Sequence, residues 1–219
     1  MKLKLLPLTA FVLAASPGLG TAAITQSYSK SVGLQIPDGD SSGLASQITV
    51  AGTNLVTSVE VTLVISGGWN GDLYAYLEHD GEMAVLLNRA GLTGENPAGA
   101  ATTGMNVTFS DAAATDVHTG LSTTYGTLAT GTYQPDGRAA DPNEVLDSSP
   151  RTLSFAGFTD QIASGYWTLF IADVAGGETA TLESWDLTLT TAAAVPEPTT
   201  GLSLLTLAAG CLLIRRRAA

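Results

Sequence analysis

The chain has 219 residues, 45% of them hydrophobic and 13% charged, with nine Lys or Arg against twenty Asp or Glu and a formal net charge of −11. Acid in that excess repels phosphate backbones and anionic lipid, which excludes nucleic acid as a partner, and it attracts cations. The single cysteine, Cys211, excludes a disulfide framework, so an exported domain must rest on its hydrophobic core, with metal as the remaining reinforcement.

Met1-Lys2-Leu3-Lys4 is a short basic start, and Leu5 to Ala15 is apolar apart from Pro7 and Thr9. Ser16-Pro17-Gly18 breaks the run, and small residues follow through Ala22 and Ala23. This order predicts a secretory signal peptide over residues 1–23, a signal helix handled by the Sec translocon and removed after Ala22 or Ala23. Its apolar core is too short for a first membrane anchor.

The body, residues 24–194, is long enough for one domain with a real core. It carries Lys30, Arg89, Arg138 and Arg151 against nineteen acidic residues, a net charge near −15. Its periodicity is that of strands. Ser46 to Val50 alternates, and Val59, Val61, Leu63 and Ile65 share one face. Leu73, Ala75 and Leu77 stand opposite Tyr74 and Tyr76, and Met83 to Leu87 is a short apolar run. Trp167, Leu169 and Ile171 alternate with Thr168, Phe170 and Ala172, and Leu182, Trp185, Leu187 and Leu189 mark a last strand. Between these runs stand Pro37-Asp38-Gly39, Gly67-Gly68, Asn70-Gly71, Asp80-Gly81 and Gly176-Gly177, all turn signals. Segments 91–103 and 121–147, rich in Gly, Ala, Thr and Pro, read as long loops. With no amphipathic helix between the strands, the pattern predicts an all-β sandwich.

Catalytic motifs are few. His79 and His118 accompany many Ser and Asp, but no G-x-S-x-G elbow, H-E-x-x-H or phosphate loop occurs. The two histidines are expected on the surface or in turns. Trp167 and Trp185 fall at strand spacing and are expected in the core, whereas Trp69, in a Gly-rich stretch, is the aromatic to test for binding. Asp38 and Asp40 flank Gly39, Asp72 follows Asn70-Gly71, and Asp80 and Glu82 flank Gly81. Such oxygen-rich turns suit calcium, and they equally suit ordinary turn and capping aspartates.

The last 25 residues read Val195-Pro196-Glu197-Pro198, an uncharged stretch over 199–214, then Arg215-Arg216-Arg217. Sixteen residues rise about 24 Å as a helix, short of the ~30 Å hydrocarbon core. The arginines form a membrane stop, and the prolines keep the motif extended and accessible to a protease. The predicted C-terminal hydrophobic helix is therefore a temporary tether.

Motif, apolar run and arginine cluster resemble the PEP-CTERM sorting tail of Gram-negative bacteria, which is read by exosortase. The resemblance implies export, a transient inner-membrane tether, processing at residues 195–198 and release to the cell surface or matrix. In the body, Ile36-Pro37-Asp38, Gly71-Asp72-Leu73, Phe109-Ser110-Asp111, Phe155-Ala156-Gly157, Gly165-Tyr166-Trp167 and Leu182-Glu183-Ser184-Trp185 occur in the order of the P domain (Homo B domain) of kexin- and furin-like subtilases. That likeness implies a jelly-roll-like β-sandwich of about eight strands, with Asp72 and Asp111 at motif positions as the carboxylates for calcium. No protease accompanies it. The favoured reading is a non-catalytic exported surface or matrix protein, sorted by exosortase and linked to exopolysaccharide and biofilm. The alternative is an accessory module that stabilises or docks on a secreted subtilisin-like protease.

Overall fold

The computed structural model describes residues 23–121 and 124–192. The expected signal helix and the whole sorting tail, including Val195, Pro196, Glu197, Pro198, Arg215, Arg216 and Arg217, lie outside the described residues. Among the described residues no helix is long and apolar enough to cross a membrane.

Among the described residues nine strands build two sheets. They are β1 (Ala23–Gln35), β2 (Asp40–Val50), β3 (Leu55–Trp69), β4 (Leu73–His79), β5 (Glu82–Asn88), β6 (Thr103–Ser110), β7 (Ala129–Tyr133), β8 (Gly165–Asp173) and β9 (Ala180–Ala192). One sheet has the order β1-β9-β3-β6-β7 and the other β2-β8-β4-β5. All pairings are antiparallel except β6 with β7, which run parallel. The only α-helix among the described residues is one turn, α1 (Val117–Gly120). The expected all-β sandwich is therefore what forms.

The alternation read in the sequence is the alternation of burial. Val59, Val61, Leu63 and Ile65 of β3, Leu73, Ala75 and Leu77 of β4, and Trp167, Leu169 and Ile171 of β8 all lie in the shared core. Leu182 and Trp185 of β9 are three apart, a spacing that breaks period two. The register explains it: Ser184 pairs with Val64 but Leu182 with Ile65, so Glu183 is a bulge residue and both apolar neighbours point inward. Trp167 and Trp185 are fully buried, as expected. Each satisfies its indole N–H, Trp167 on the Ala163 carbonyl and Trp185 on Ser46 Oγ, both at 2.9 Å. The second bond ties one sheet to the other.

One expectation needs correction. Segment 121–147 is not loop throughout, because β7 lies within it; only Ala129 of that strand is buried, so no apolar alternation announced it. Nor did periodicity mark β1, an edge strand of Ser, Thr and Gln that is exposed along most of its length. One glycine pair is required by geometry. Gly67 and Gly68 have φ of 69° and 61°, and a Cβ on Gly68 would lie 2.5 Å from that of Ala180.

Candidate functional site

Because Leu73, Ala75 and Leu77 point into the core, Tyr74, Tyr76 and Glu78 of β4 face outward. By the same alternation Tyr166, Thr168 and Phe170 of β8 face outward, with Tyr76 paired to Phe170 and Glu78 to Thr168. The rings meet. Tyr76 stacks on Phe170 with centroids 4.9 Å apart and planes at 20°, and Tyr74 closes on both at 6.0 and 6.4 Å. Tyr74, Tyr76 and Phe170 are half-buried, and Tyr166 is 63% exposed. Tyr166 and Phe170 stand four residues apart on one strand, about 13 Å. Between them Thr168 accepts a 3.1 Å bond from Gln47 of β2. The result is an aromatic strip in which Tyr74, Tyr76 and Phe170 lean on one another, with hydroxyl, amide and carboxylate groups along it. Burial, then the neighbouring Tyr76 and Asp141, pushes the Tyr74 hydroxyl above its ordinary range.

The histidines are not where the sequence suggested. Both are 1% exposed. His79 lies flat on Trp167, centroids 4.0 Å apart and planes at 4°, with its two ring nitrogens each 2.9 Å from a carbonyl, of Tyr166 and of Ile162. His118, on α1, has Nδ1 2.8 Å from Asp136 Oδ2 and Nε2 2.9 Å from the Leu92 carbonyl. Both partners of His118 are acceptors, so only the doubly protonated ring serves both. Burial works against that charge, but the hydrogen bond and charge of Asp136, with the Leu92 carbonyl, outweigh it and hold the proton above the ordinary histidine value. Asp136 is itself fully buried and is shared with Arg138 at 3.1 Å. Arg138 reaches on to Asp116 at 3.4 Å and to the Asp147 carbonyl at 2.9 Å. Burial raises the Asp116 carboxyl, yet the Thr119 N–H, Arg138 and Arg151 together hold it below the usual range. This network knots α1 to the turns at 92, 134–138 and 147. Every ring nitrogen of both histidines is engaged by a carbonyl or by Asp136, and among the described residues neither bonds a serine. The arrangement ties loops together.

The predicted metal carboxylates are not brought together. Asp72 is 7% exposed, in the 3-10 turn between β3 and β4, with Arg89 3.7 Å away. Burial raises its carboxyl, Arg89 partly offsets this, and Asp38 adds to the rise. Asp111 is exposed and accepts a 3.3 Å bond from the Phe155 N–H. It follows Ser110, the partner of Glu60 near the start of β3, whereas Asp72 follows the end of that strand. Nine residues of strand separate those points, about 30 Å. Among the described residues no three acidic, histidine or cysteine side chains already surround one point as a metal would require. Asp72 instead neighbours Asp173 and Asp38, a convergence that sequence spacing does not reveal. Trp69 ends β3 half-buried, edge-on to the exposed Tyr125 at 6.1 Å.

No family model and no curated protein matches the chain. Among solved structures it is similar to a chain in the crystal structure of the Aeromonas sobria serine protease with the chaperone ORF2, at 16% identity and a TM-score of 0.46, covering 79% of this chain and 28% of that one. It is also similar to the crystal structure of the A. sobria serine protease itself, at 16% identity and a TM-score of 0.46, covering 78% of this chain and 27% of that one. The chain thus spans about a quarter of the length of either neighbour.

Proposed function

We propose that the chain is a non-catalytic, exported binding module that holds an uncharged exopolysaccharide on the outer face of its four-stranded sheet. The strip of Tyr74, Tyr76, Phe170 and Tyr166 carries this reading. Ring faces take the C–H faces of a pyranose, and Gln47, Thr168 and Glu78 lie within the strip for its hydroxyls. Three of the body's four cations, Arg89, Arg138 and Arg151, are tied to internal partners, so the outer surface is strongly acidic and disfavours an anionic polymer. Affinity electrophoresis of the protein through gels containing neutral polysaccharide tests this. Retardation should fall roughly two- to tenfold for Tyr76→Ala or Tyr166→Ala, as the loss of one aromatic contact implies. Migration untouched by polysaccharide sinks it.

A second reading, an accessory module docking on a secreted subtilisin-like protease, is favoured by β1. This 13-residue edge strand has Lys30 as its one charged residue, and its free edge suits strand addition by a partner. Co-purification of one protease from the culture fluid, lost on placing prolines in β1, selects that reading. Delivery belongs to the same proposal: exosortase processes the tail at Val195-Pro196-Glu197-Pro198. Intact mass of the surface protein decides it, since a chain still ending at Ala219 means an ordinary tail anchor.

A further inference from the structure

We propose that Asp173 Oδ2, with the carboxylates of Asp72 and Asp38, forms a calcium site at one end of the sandwich. Three connections meet there. Asp38 lies in the turn between β1 and β2, and its Oδ1 accepts a 3.0 Å bond from the Gly177 N–H beyond β8. Asp72 lies between β3 and β4, and its carbonyl accepts a 2.9 Å bond from the Val174 N–H. Asp173 ends β8 and pairs in register with Asp40 of β2 on one side and Leu73 of β4 on the other. The segment following β8 is thus stitched to both other turns.

Asp173 is in phase with Trp167, Leu169 and Ile171, so its side chain is directed into the sandwich, where it is 0% exposed. Its Oδ1 accepts a 3.3 Å bond from the Ala175 N–H, but Oδ2 has no hydrogen-bond partner among the described residues. A buried carboxylate oxygen left unpaired is among the most unfavourable features a fold can carry. Asp72 and Asp38 add like charge nearby. Among the described residues the one cation facing the group is Arg89, which spends Nε on the Gly71 carbonyl at 3.2 Å and approaches Asp72 at 3.7 Å. Asp40 is exposed and caps the Ser42 N–H at 2.8 Å. Three carboxylates against one guanidinium leave two negative charges for a hard cation to meet. An irregular, loop-built oxygen set suits calcium, whereas magnesium demands a tight octahedron. Because the carboxylates are not yet gathered around one point, an ion must draw them together, with water completing its shell. That places the affinity in the weak range of extracellular modules, on the order of 10⁻⁴–10⁻³ M.

Thermal unfolding of the full chain in EDTA, in 10 mM calcium and in 10 mM magnesium tests the site. Calcium should raise the Tm by roughly 3–10 °C and magnesium by clearly less. Asp173→Asn should melt above the wild type in EDTA, since an amide removes the unpaired charge, and should lose the calcium response. Asp111→Asn, at the other end of the sandwich, should keep it. If Asp173→Asn does not fold, Asp38→Asn and calcium-competed terbium luminescence serve in its place. No calcium shift in the wild type overturns the site, and so does a full response in the Asp173 or Asp38 variant, or its loss on replacing Asp111.

Discussion

Replacing Asp136 with Asn tests whether the buried imidazole network supports the loops that cover the sandwich. The two side chains are nearly isosteric, so the change is one of charge and donor pattern. In the wild type Oδ2 accepts from His118 Nδ1 and from the Asn88 N–H at 3.2 Å, while Oδ1 accepts from Arg138. An amide must aim its NH₂ at one side or the other, donor against donor, and it leaves the His118 charge without its counter-ion and Arg138 with Asp116 alone. Removing one member of a buried ion pair costs about 3–5 kcal/mol, a large share of the roughly 5–15 kcal/mol that holds a domain together. At about 2–4 °C per kcal/mol, Tm should fall by roughly 6–20 °C. The pH dependence adds a second readout. His118 is held protonated above its ordinary value, so its contribution is complete below about pH 6.5 and is lost as pH rises through the folded value. Urea unfolding of the wild type across pH 6–9 should therefore show this loss, and Asp136→Asn should flatten it. Destabilisation under about 1 kcal/mol, or an unchanged pH profile, refutes the network's structural role.

Other outcomes follow from the packing. Trp185→Phe removes the bond to Ser46 together with part of a fully buried ring, and chemical denaturation should register a loss of about 1.5–3 kcal/mol. Gly68→Ala forces a Cβ against Ala180 at a φ of 61°, so it should cost about 1–3 kcal/mol, whereas alanine at Gly52, which faces open space but has a φ of 124°, should show backbone strain alone. Tyr166→Ala on the exposed strip should leave Tm within about 2 °C of the wild type while weakening polysaccharide retention, which separates binding from folding.

The strands with one apolar face were legible because a half-buried sheet imposes period two on Val59 through Ile65 or Trp167 through Ile171. What escaped had no such imprint. β1 and β7 lie at the two edges of the five-stranded sheet and bury almost nothing, so hydropathy carried no trace of them. The histidines looked like surface residues because a buried imidazole is betrayed by its partners, and Asp136, Leu92, Tyr166 and Ile162 are distant in sequence. Tyr74, Tyr76 and Phe170 were read as alternation partners of core residues. Their grouping became visible only once the register set Tyr76 beside Phe170. Asp72 was picked for a turn motif, but its adjacency to Asp173 across strands leaves no mark on spacing.

The position of β9 bears on when this fold can form. It is the last described strand, yet it sits inside its sheet with β1 on one side and β3 on the other. Thr25 and Thr190 share a 3.0 Å side-chain bond although 165 residues separate them. Contacts of such range are closed late, because the intervening chain must first be gathered. A nascent chain that has emerged only as far as β8 lacks the strand that joins β1 to β3. The five-stranded sheet therefore closes only when its final strand arrives.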